Sequence, residues 1–357
     1  MMGQILPWVP KRILLIRLKA VGDVLLCTPL IRTLRKKYPD AQIDFAADAV
    51  PALLLRNNPR VNEILVPPKK GSSFSLQFGF IRQVRRNRYD LVLDLFGNPR
   101  SAWMTFFSGA PFRVGYAYRV RRWAFNYAVP LPKKIRRYQV EVNLDLLRSV
   151  GIPGDGLETE LYLSETEKEW GRRTIRDLGG EGPAELKIGL NPTGTWSAKR
   201  WLVPHWRELI ALWNDRWKIK PLLLWGPGDE ALVEEVTRGL EGKIRTAPPT
   251  DLRQLASLIS GLDLLIGNDG APQHLAQALG TKSLTLFGPT WGLSWTKPSD
   301  ARHQVLQHFL DCGPCDQTLC PFPQAPGEAA HTHQECLARI TPVQVAEKAA
   351  DMLGLSL

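Results

Sequence analysis

The stretch that decides the fold reads DLLIGNDGAPQHLAQALGTKSLTLFGP and spans residues 263–289. An apolar run at its start, residues 262–267, predicts a buried parallel strand. A tight loop at 268–272 leads into a short helix at 273–279, which has a proline near its first turn and a glycine just past its end. A second apolar strand follows at 283–287. This strand–loop–helix–strand unit is typical of a parallel α/β sheet.

The loop of this unit is a candidate phosphate site. Its backbone N–H groups lie at a helix N-terminus and at the carboxyl edge of the predicted sheet, where open α/β proteins bind their ligands. The alternative is an ordinary turn in which Asp269 only caps the helix. The stretch by itself leaves both interpretations open.

Length and hydropathy restrict the class of protein. The chain has 357 residues, which favours two domains with a core in each. Hydrophobic residues make up 44% of the sequence. No apolar run approaches the ~20 residues of a membrane span. The N-terminal segment MMGQILPWVPKR lacks the features of a secretory signal, so we expect a cytoplasmic protein.

Positive charge is concentrated in the first part of the chain. The net charge is +11, and residues 1–160 hold 26 Lys and Arg against 12 Asp and Glu. The densest part is the basic stretch, residues 113–138, which has eight basic residues, no acidic residue and several interleaved aromatic residues. Such a mixture suits an anionic lipid surface or a nucleic-acid backbone. A solvated face on a basic protein is the plainer alternative.

Strands alternate with helices along the chain, which predicts mostly parallel, doubly wound sheets. The first strand covers 12–18 and the first helix covers 24–38, with Asp23 between them. Asp23 is either a helix N-cap or a ligand-facing residue at the carboxyl end of that strand. No GxGxxG motif follows a strand, which disfavours an NAD-dependent oxidoreductase.

The domain organisation follows from a glycine-rich segment with a proline at residues 177–183, the best candidate for a linker. We predict an N-terminal Rossmann-like domain at 1–176 and a C-terminal Rossmann-like domain at 185–340, with a cleft between them. The C-terminal domain includes a cysteine-rich segment at 312–336, and a final helix at 341–357 follows it.

Four blocks of sequence resemble glycosyltransferase family 9, the ADP-heptose:lipopolysaccharide heptosyltransferases. The blocks are ILLIRLKAVGDVLLCTP (13–29), YDLVLDLFGNPRSA with FRVG (89–115), IGLNPTGTWSAKRW (188–201) with the following LLLWGPGDE, and NDGAPQHLAQALGTKSLTLFGPT (268–290). They keep the family's order and spacing over nearly the whole chain. The resemblance implies the GT-B fold, an α/β arrangement of two facing Rossmann-like domains. It also implies that the C-terminal domain binds a nucleotide-sugar donor and the N-terminal domain a lipid-linked acceptor.

The resemblance also implies roles for individual residues. Asp23, in its Gly-Asp-Val context, matches the family's proposed base, which takes the proton from the attacking acceptor hydroxyl in an inverting transfer. Lys199 matches the lysine that neutralises the leaving phosphates. Glu230 matches a glutamate that holds the donor ribose, with Asp229 as an adjacent competitor. Further donor-binding positions are Thr195, Asp269, Gly270, Ala271, His274, Gly288 and Thr290.

The donor loop departs from the family's pattern. The family has a side-chain hydroxyl in this loop, whereas this chain reads Gly270-Ala271-Pro272 at that place. Phosphate contacts would therefore come from the backbone N–H groups of Gly270 and Ala271, because proline has none. His274 either stabilises the leaving phosphate or is a structural histidine.

Four cysteines near the end of the chain, Cys312, Cys315, Cys320 and Cys336, cluster with two histidines. This composition is typical of a structural zinc site, although the spacing is not that of a standard finger. Disulfides and reduced thiols are the alternatives, and a cytosolic protein favours zinc or free thiols. For the transfer itself we expect no cofactor, because the chain has no DxD motif that would hold a metal ion.

Together these features predict a metal-independent, inverting glycosyltransferase that moves heptose from ADP-heptose to an anionic, lipid-linked acceptor of the lipopolysaccharide inner core. We expect it at the cytoplasmic face of the inner membrane of a Gram-negative bacterium. The residues expected to face the acceptor and the membrane are Arg119, Arg121, Arg122, Lys133 and Lys134.

Three alternatives stay open at this point. The first two are a transferase with another nucleotide sugar and a nucleotide-sugar epimerase, which would need no acceptor. The third is a basic protein that binds nucleic acid or a membrane. Nucleic-acid binding is weakened by the absence of nucleic-acid motifs and by the near-neutral second half of the chain.

Overall fold

Two six-stranded parallel sheets, one in each of two units of the chain, carry the fold in the computed structural model. The units are Met1–Tyr162 and Leu163–Leu357. The structure describes residues 6–118, 120–131, 136–179, 186–322 and 333–356. Among the described residues, no helix is both long and apolar enough to cross a bilayer.

The sheet of the first unit has the strand order β3-β2-β1-β4-β5-β6, and all neighbouring strands are parallel. The strands are β1 (Arg12–Ile16), β2 (Gln42–Ala46), β3 (Glu63–Leu65), β4 (Leu91–Asp94), β5 (Phe112–Tyr116) and β6 (Tyr127–Val129). The helices are α1 (Val21–Leu25), α2 (Thr28–Lys37), α3 (Ala49–Ala52), α4 (Phe74–Arg86), α5 (Pro99–Phe107) and α6 (Gln139–Arg148). The central strands are almost wholly apolar and buried, as parallel strands covered by helices on both faces must be.

The sheet of the second unit, written from its β9 edge, has the order β9-β8-β7-β10-β11-β12 and is also parallel. The strands are β7 (Ile188–Asn191), β8 (Leu222–Leu223), β9 (Arg245–Thr246), β10 (Leu264–Asn268), β11 (Lys282–Phe287) and β12 (His303–Gln307). The helices are α7 (Glu165–Asp177), α8 (Val203–Trp217), α9 (Glu230–Thr237), α10 (Leu252–Ser260), α11 (Ala271–Leu279), α12 (Glu335–Ala338) and α13 (Pro342–Leu353). Both sheets therefore follow the same doubly wound order.

Each unit has its own hydrophobic core. In the first unit, Leu14 and Val92 of the central strands pack with Val84 of α4. In the second unit, Trp201 and Trp206 are buried on one side of the sheet. The Trp201 indole N–H also donates to the carbonyl of Ile340 at 2.9 Å, just before α13. The final helix predicted at 341–357 is thus part of the second core.

The division between the units falls before α7, earlier than the predicted linker at 177–183. Glu167 on α7 accepts two hydrogen bonds from the Arg253 guanidinium on α10, at 2.7 and 2.5 Å, and these bonds lower the pKa of Glu167 to about 2. Gly171 on α7 lies against the backbone of Ser257 on α10. These contacts tie α7 to the second unit, so the first domain ends near 162 rather than at the predicted 176.

The predicted helix at 24–38 is two helices in the structure. Helix α1 ends at Leu25 and α2 begins at Thr28, with Pro29 in its first turn. A proline is well accommodated there because its missing N–H has no partner in the first turn of a helix. Asp23 consequently lies inside α1 and not before the helix.

Helix packing at Gly171 gives a test of the boundary. A methyl group at position 171 would lie 2.2 Å from the Ser257 carbonyl oxygen, so Gly171→Ala should destabilise the second unit by about 1–3 kcal/mol. Gly79→Ala is the matched control, because nothing lies within 4 Å of the added methyl on α4. That control should stabilise the protein by about 0.5–1 kcal/mol. Urea unfolding measures both, and equal effects of the two substitutions would contradict the α7–α10 packing.

Candidate active site

The strand order brings the predicted site residues to one edge in each unit. In both sheets the order changes direction beside the first strand, between β1 and β4 and between β7 and β10. Ligands of doubly wound proteins bind at the carboxyl ends of such strands. Asp23 follows β1, Lys199 follows β7 and Asp269 follows β10. All three therefore lie at the expected edge of their own sheet.

Asp23 is the third residue of α1, and its carboxylate is held firmly. Its Oδ2 atom lies 2.5 Å from the Arg17 guanidinium and accepts a hydrogen bond of 3.0 Å from the backbone N–H of Ala20. Both contacts are therefore made to the same carboxylate oxygen, Oδ2. The arrangement fixes the carboxylate and presents Oδ1 as the atom that can accept a proton. The N-cap interpretation of Asp23 is wrong, since the N-cap position is Ala20.

Arg17 is a site residue that the sequence analysis missed. It follows the last residue of β1, donates to the Leu95 carbonyl beyond β4 at 2.7 Å, and lies over the Phe96 ring at 5.0 Å. Burial would lower the pKa of the Arg17 guanidinium, but Asp23, Cys27 and Tyr118 together outweigh burial, so this pKa is raised. The signal in the sequence was a basic residue directly after a run of four buried apolar residues, Ile13–Ile16.

In the second unit, three of the predicted donor residues meet. Lys199 ends a short 3₁₀ turn, and its ammonium nitrogen lies 2.6 Å from Oδ2 of Asp269. The Thr290 hydroxyl donates to the same oxygen. The Lys199 side chain is 15% exposed and that of Asp269 4%, and the ammonium lies 4.2 Å from the centre of the Trp196 ring. Lys199 and Asp269 therefore form a largely buried ion pair, in which the lysine side chain keeps a small exposed surface.

The helix that follows Asp269 is open at its N-terminus. The N-cap of α11 is Gly270, and no side chain caps the helix. Asp269 therefore does not act as the cap, and that alternative is wrong. Uncapped backbone N–H groups and the positive end of the helix dipole form an anion-binding feature close to the Lys199 ammonium. Pro272, within the first turn, offers no N–H.

Asn268, the last residue of β10, links this strand to the loop that follows β7. The sequence analysis did not identify it as a site residue. Its side-chain oxygen accepts from the backbone N–H of Trp201 at 3.0 Å, and its side-chain N–H donates to the carbonyls of Pro192 and Thr193. These bonds shape the loop that carries Lys199. Asparagine at a strand end is common, so the sequence carried no specific signal for this role.

The other predicted donor residues differ in burial and in the contacts that they make. Glu230 is exposed at the first turn of α9, and backbone N–H groups, including that of Gly228 at 3.2 Å, lower the pKa of its carboxyl. His274 is buried on α11, with its ring 6.1 Å from that of Trp295. Thr195 is exposed in the loop before the 3₁₀ turn. Gly288 packs tightly, since a methyl group there would meet Leu337 at 2.8 Å.

The basic stretch is only partly described. Arg119, Lys133 and Lys134 lie outside the described residues. Arg121 donates to the Gly97 carbonyl and lies over the Tyr118 ring, and Arg122 begins a 3₁₀ turn. Other members serve the fold directly, because Arg113 bonds the carbonyls of Ala110 and Ala124, and Arg137 pairs with Asp145.

The four clustered cysteines line one cavity of about 330 Å³ in the second unit. All are free thiols, so the disulfide alternative is not realised. Burial raises the pKa of Cys336 to about 11. In the described part of the chain, no three His, Cys, Asp or Glu side chains are placed to hold a metal ion. His331, one of the two histidines of the predicted cluster, lies outside the described residues, so the structural zinc site stays a prediction.

The cysteine-rich segment packs against the loops of the Lys199 cluster. The backbone N–H of Asp316 donates to the Pro289 carbonyl at 2.9 Å, and that of Ala198 to the Thr318 carbonyl at 3.2 Å. The Gln334 side chain donates to the Ser197 carbonyl. Backbone neighbours of Lys199 and of Thr290 are therefore both braced by this segment.

Comparison with known proteins gives consistent similarities. Residues 78–325 match the model of glycosyltransferase family 9 (heptosyltransferase). Lipopolysaccharide heptosyltransferase 3 of Escherichia coli K12 is 31% identical over 289 residues, which cover 77% of this chain and 81% of that protein.

Solved structures agree on the fold. A glycosyl transferase family 9 protein from Veillonella parvula superposes with a TM-score of 0.80 at 23% identity, over 96% of this chain and 97% of that one. The E. coli ADP-heptose lps heptosyltransferase II gives a TM-score of 0.75 at 26% identity, over 96% and 98%. These likenesses confirm the predicted fold class, GT-B with two Rossmann-like parallel-sheet domains.

The Lys199 cluster predicts binding of a diphosphate. Inorganic pyrophosphate should raise the melting temperature of the wild-type protein, because it binds the folded site alone. In Lys199→Met the affinity derived from that shift should fall at least about tenfold, since a charge-assisted contact is lost. Lys220→Met, which removes an exposed lysine of the same unit, is the matched control. An unchanged pyrophosphate affinity in Lys199→Met would contradict the assignment.

Proposed function

Because the chain belongs to glycosyltransferase family 9, the heptosyltransferases, we propose that it transfers heptose from ADP-heptose to a lipid-linked saccharide of the lipopolysaccharide inner core, with inversion at the anomeric carbon. The acceptor class is suggested by a relative named lipopolysaccharide heptosyltransferase 3. The donor is suggested by the E. coli ADP-heptose lps heptosyltransferase II.

The single observation that carries the proposal is the Lys199 cluster at the N-terminus of α11. The reaction breaks the bond between the anomeric carbon and the β-phosphate oxygen, so negative charge develops on the leaving ADP. A lysine ammonium and helix N–H groups, already oriented before the reaction, stabilise such charge without reorganisation. Asp269 holds the ammonium at 2.6 Å, and the Thr290 hydroxyl donates to the same carboxylate oxygen of Asp269.

Asp23 is the proposed base. In a direct displacement, the acceptor oxygen forms its bond to the anomeric carbon while its proton passes to the carboxylate. The contacts of Arg17 and Ala20 on Oδ2 support Oδ1 as the atom that takes the proton. Arg17 is then a positioning residue, since it acts through Asp23. A displacement in one step inverts the configuration at the anomeric carbon.

Catalysis without a metal ion is part of the proposal. The charge that a divalent cation would neutralise is matched here by Lys199 and the N–H groups of α11. Glu230 is the proposed ligand of the donor ribose, because a carboxylate accepts hydrogen bonds from two neighbouring hydroxyls. His274 is proposed near the leaving phosphates, on the helix that supplies those N–H groups.

The proposed binding of the acceptor by the first unit is argued from the positive charge of that unit. Inner-core saccharides on lipid are anionic, and the basic stretch gives the first unit a matching surface. Arg119, Arg121, Arg122, Lys133 and Lys134 are the proposed contacts to the acceptor. Such an acceptor lies in a membrane, so the enzyme is proposed to act at the cytoplasmic face of the inner membrane of a Gram-negative bacterium.

Two substitutions should separate the base from the donor site. Asp23→Asn should lower kcat by about 10²–10⁴, with ADP affinity unchanged, because only proton removal is lost. Lys199→Ala should weaken ADP binding as well as turnover. ADP release in the presence of donor and acceptor measures kcat, and calorimetry measures ADP affinity.

The control for the base is Asp40→Asn, which changes an exposed carboxyl of the same unit and should leave both quantities at the wild-type level. Full activity of Asp23→Asn would reject Asp23 as the base. Calorimetry with UDP and GDP in place of ADP tests the donor, and tighter binding of either would change the assigned nucleotide sugar.

The basic stretch gives a separate prediction for the acceptor. Replacing Arg119, Arg121, Arg122, Lys133 and Lys134 by Gln should raise KM for the acceptor several-fold, most strongly at low salt, because the attraction is electrostatic. ADP affinity should stay unchanged. Acceptor kinetics at two ionic strengths measure the effect. A KM that does not depend on these residues would remove them from the acceptor site.

A further inference from the structure

An apolar groove lies in the first unit beside the basic stretch, since the ring of Trp103, which lines the groove, lies 4.6 Å from that of Trp123. Helices α4 and α5 and the loop at residues 67–73 enclose a cavity of about 660 Å³. Apolar side chains form most of its lining, among them Phe74, Phe78, Ile81, Trp103, Met104 and Phe107. Its volume falls within the range of ligand pockets, roughly 300–1,000 Å³.

The side chains around this groove are far more exposed than folding requires. Phe74 is 84% exposed, Phe78 58% and Trp103 48%. Helix α4 is held to the core through other residues, since Phe80 and Val84 are buried in the first unit's core. Contiguous exposed apolar surface of this kind marks a site of interaction with lipid, ligand or protein.

Positive charge surrounds the groove. Lys70 and Arg100 line it directly. Residues 67–89, which include the loop and α4, contain six basic residues and no acidic residue. Residues 95–112, which include α5, also contain no acidic residue. The charge complements an anionic headgroup layer, and the aromatic side chains suit the acyl region just beneath it.

We propose that the α4–α5 groove binds an acyl chain of an anionic membrane lipid. Phe74 and Phe78 enter the leaflet, and the exposed Lys69 and Lys70 stay at the level of the headgroups. Lysine side chains do this readily, because their apolar stems reach through the interface while the ammonium stays in water. The groove then anchors the first unit to the leaflet.

Charge also argues for a lipid over a second copy of this chain. A symmetric dimer would place the same patch on both partners, so the basic segments would face each other. Like charges brought together at an interface cost several kcal/mol. An anionic bilayer would instead gain from the exposed Lys69 and Lys70.

This inference rests on the proposed function, because a lipid-linked acceptor would require the enzyme to work at a membrane surface. The experiment uses vesicles without acceptor, so its failure leaves the transfer reaction untouched. Conversely, failure of the ADP and transfer assays would leave the vesicle result standing. The two proposals are therefore distinguishable.

Sedimentation with vesicles tests the groove. The wild-type protein should bind phosphatidylcholine vesicles containing phosphatidylglycerol, and bind pure phosphatidylcholine vesicles weakly. Phe74→Ser/Phe78→Ser should reduce the partition coefficient at least about tenfold, because two large apolar side chains no longer enter the leaflet. Lys69→Gln/Lys70→Gln should reduce it about tenfold or more on the anionic vesicles alone.

The matched control is Val9→Ser/Val343→Ser, which removes two exposed apolar side chains outside the groove and should bind as the wild type does. Melting temperatures close to wild type in all variants verify folding, as expected for exposed positions. Trp103→Phe adds a second readout. Lipids brominated on their acyl chains should quench the wild-type tryptophan fluorescence, and part of that quenching should be lost in Trp103→Phe.

Three results would overturn the proposal. The first is unchanged vesicle binding in Phe74→Ser/Phe78→Ser. The second is equal binding to neutral and anionic vesicles, or quenching that Trp103→Phe does not alter. The third is a concentration-dependent dimer that Phe74→Ser/Phe78→Ser dissociates, which would assign the groove to a second copy of the chain.

Discussion

The ion pair between Lys199 and Asp269 is the interaction on which the candidate site of the second unit depends. The Asp269 side chain is almost fully buried, and an unpaired charge there would cost several kcal/mol. The pair therefore joins the loop after β7 to the loop after β10 across the point where the strand order turns. Thr290 adds a third loop to the same carboxylate. Three chain segments distant in sequence are thus held around one ammonium group that keeps an edge toward solvent.

Much of this arrangement could be predicted from residue patterns. The apolar runs of β1, β10 and β11 identify buried parallel strands, because a strand covered on both faces needs no polar alternation. Parallel strands share an edge for their carboxyl ends, so residues that follow β7 and β10 lie at the same edge of the sheet. The convergence of Lys199 and Asp269 follows from that rule together with the family resemblance. Strands β5, β6 and β12 were not predicted, and the last two are only partly apolar and half-buried.

Long-range side-chain contacts could not be predicted in the same way. The pairing of Arg17 with Asp23 depends on the rotamer of a long side chain, and the Asn268 bridge depends on how a loop after another strand bends back. The end of the first domain was misplaced for a related reason. A glycine-rich segment indicates where a chain is flexible, whereas membership of a unit is decided by contacts such as that of Glu167 with Arg253.

The cysteine-rich segment illustrates the limit of composition as evidence. Four cysteines do gather around one cavity, as their spacing in the sequence suggested. The structural zinc site at these cysteines stays a prediction, because His331 of the same cluster lies outside the described residues. What the described residues do is hold the loops beside Lys199 and Thr290 through backbone hydrogen bonds. The described part of the segment thus stabilises the loops that carry Lys199 and Thr290.

The presence of a separate core in each unit has a consequence for how the protein denatures. Each sheet is covered by helices of its own unit. Either unit can therefore lose its structure while the other keeps the apolar contacts of its own core. Heating should then produce two transitions with different midpoints, and each free energy of unfolding or melting temperature then belongs to one unit. A nucleotide held by the second unit would raise only the transition of that unit. The spacing between the two midpoints, and not one overall melting temperature, is the quantity that ligands would change.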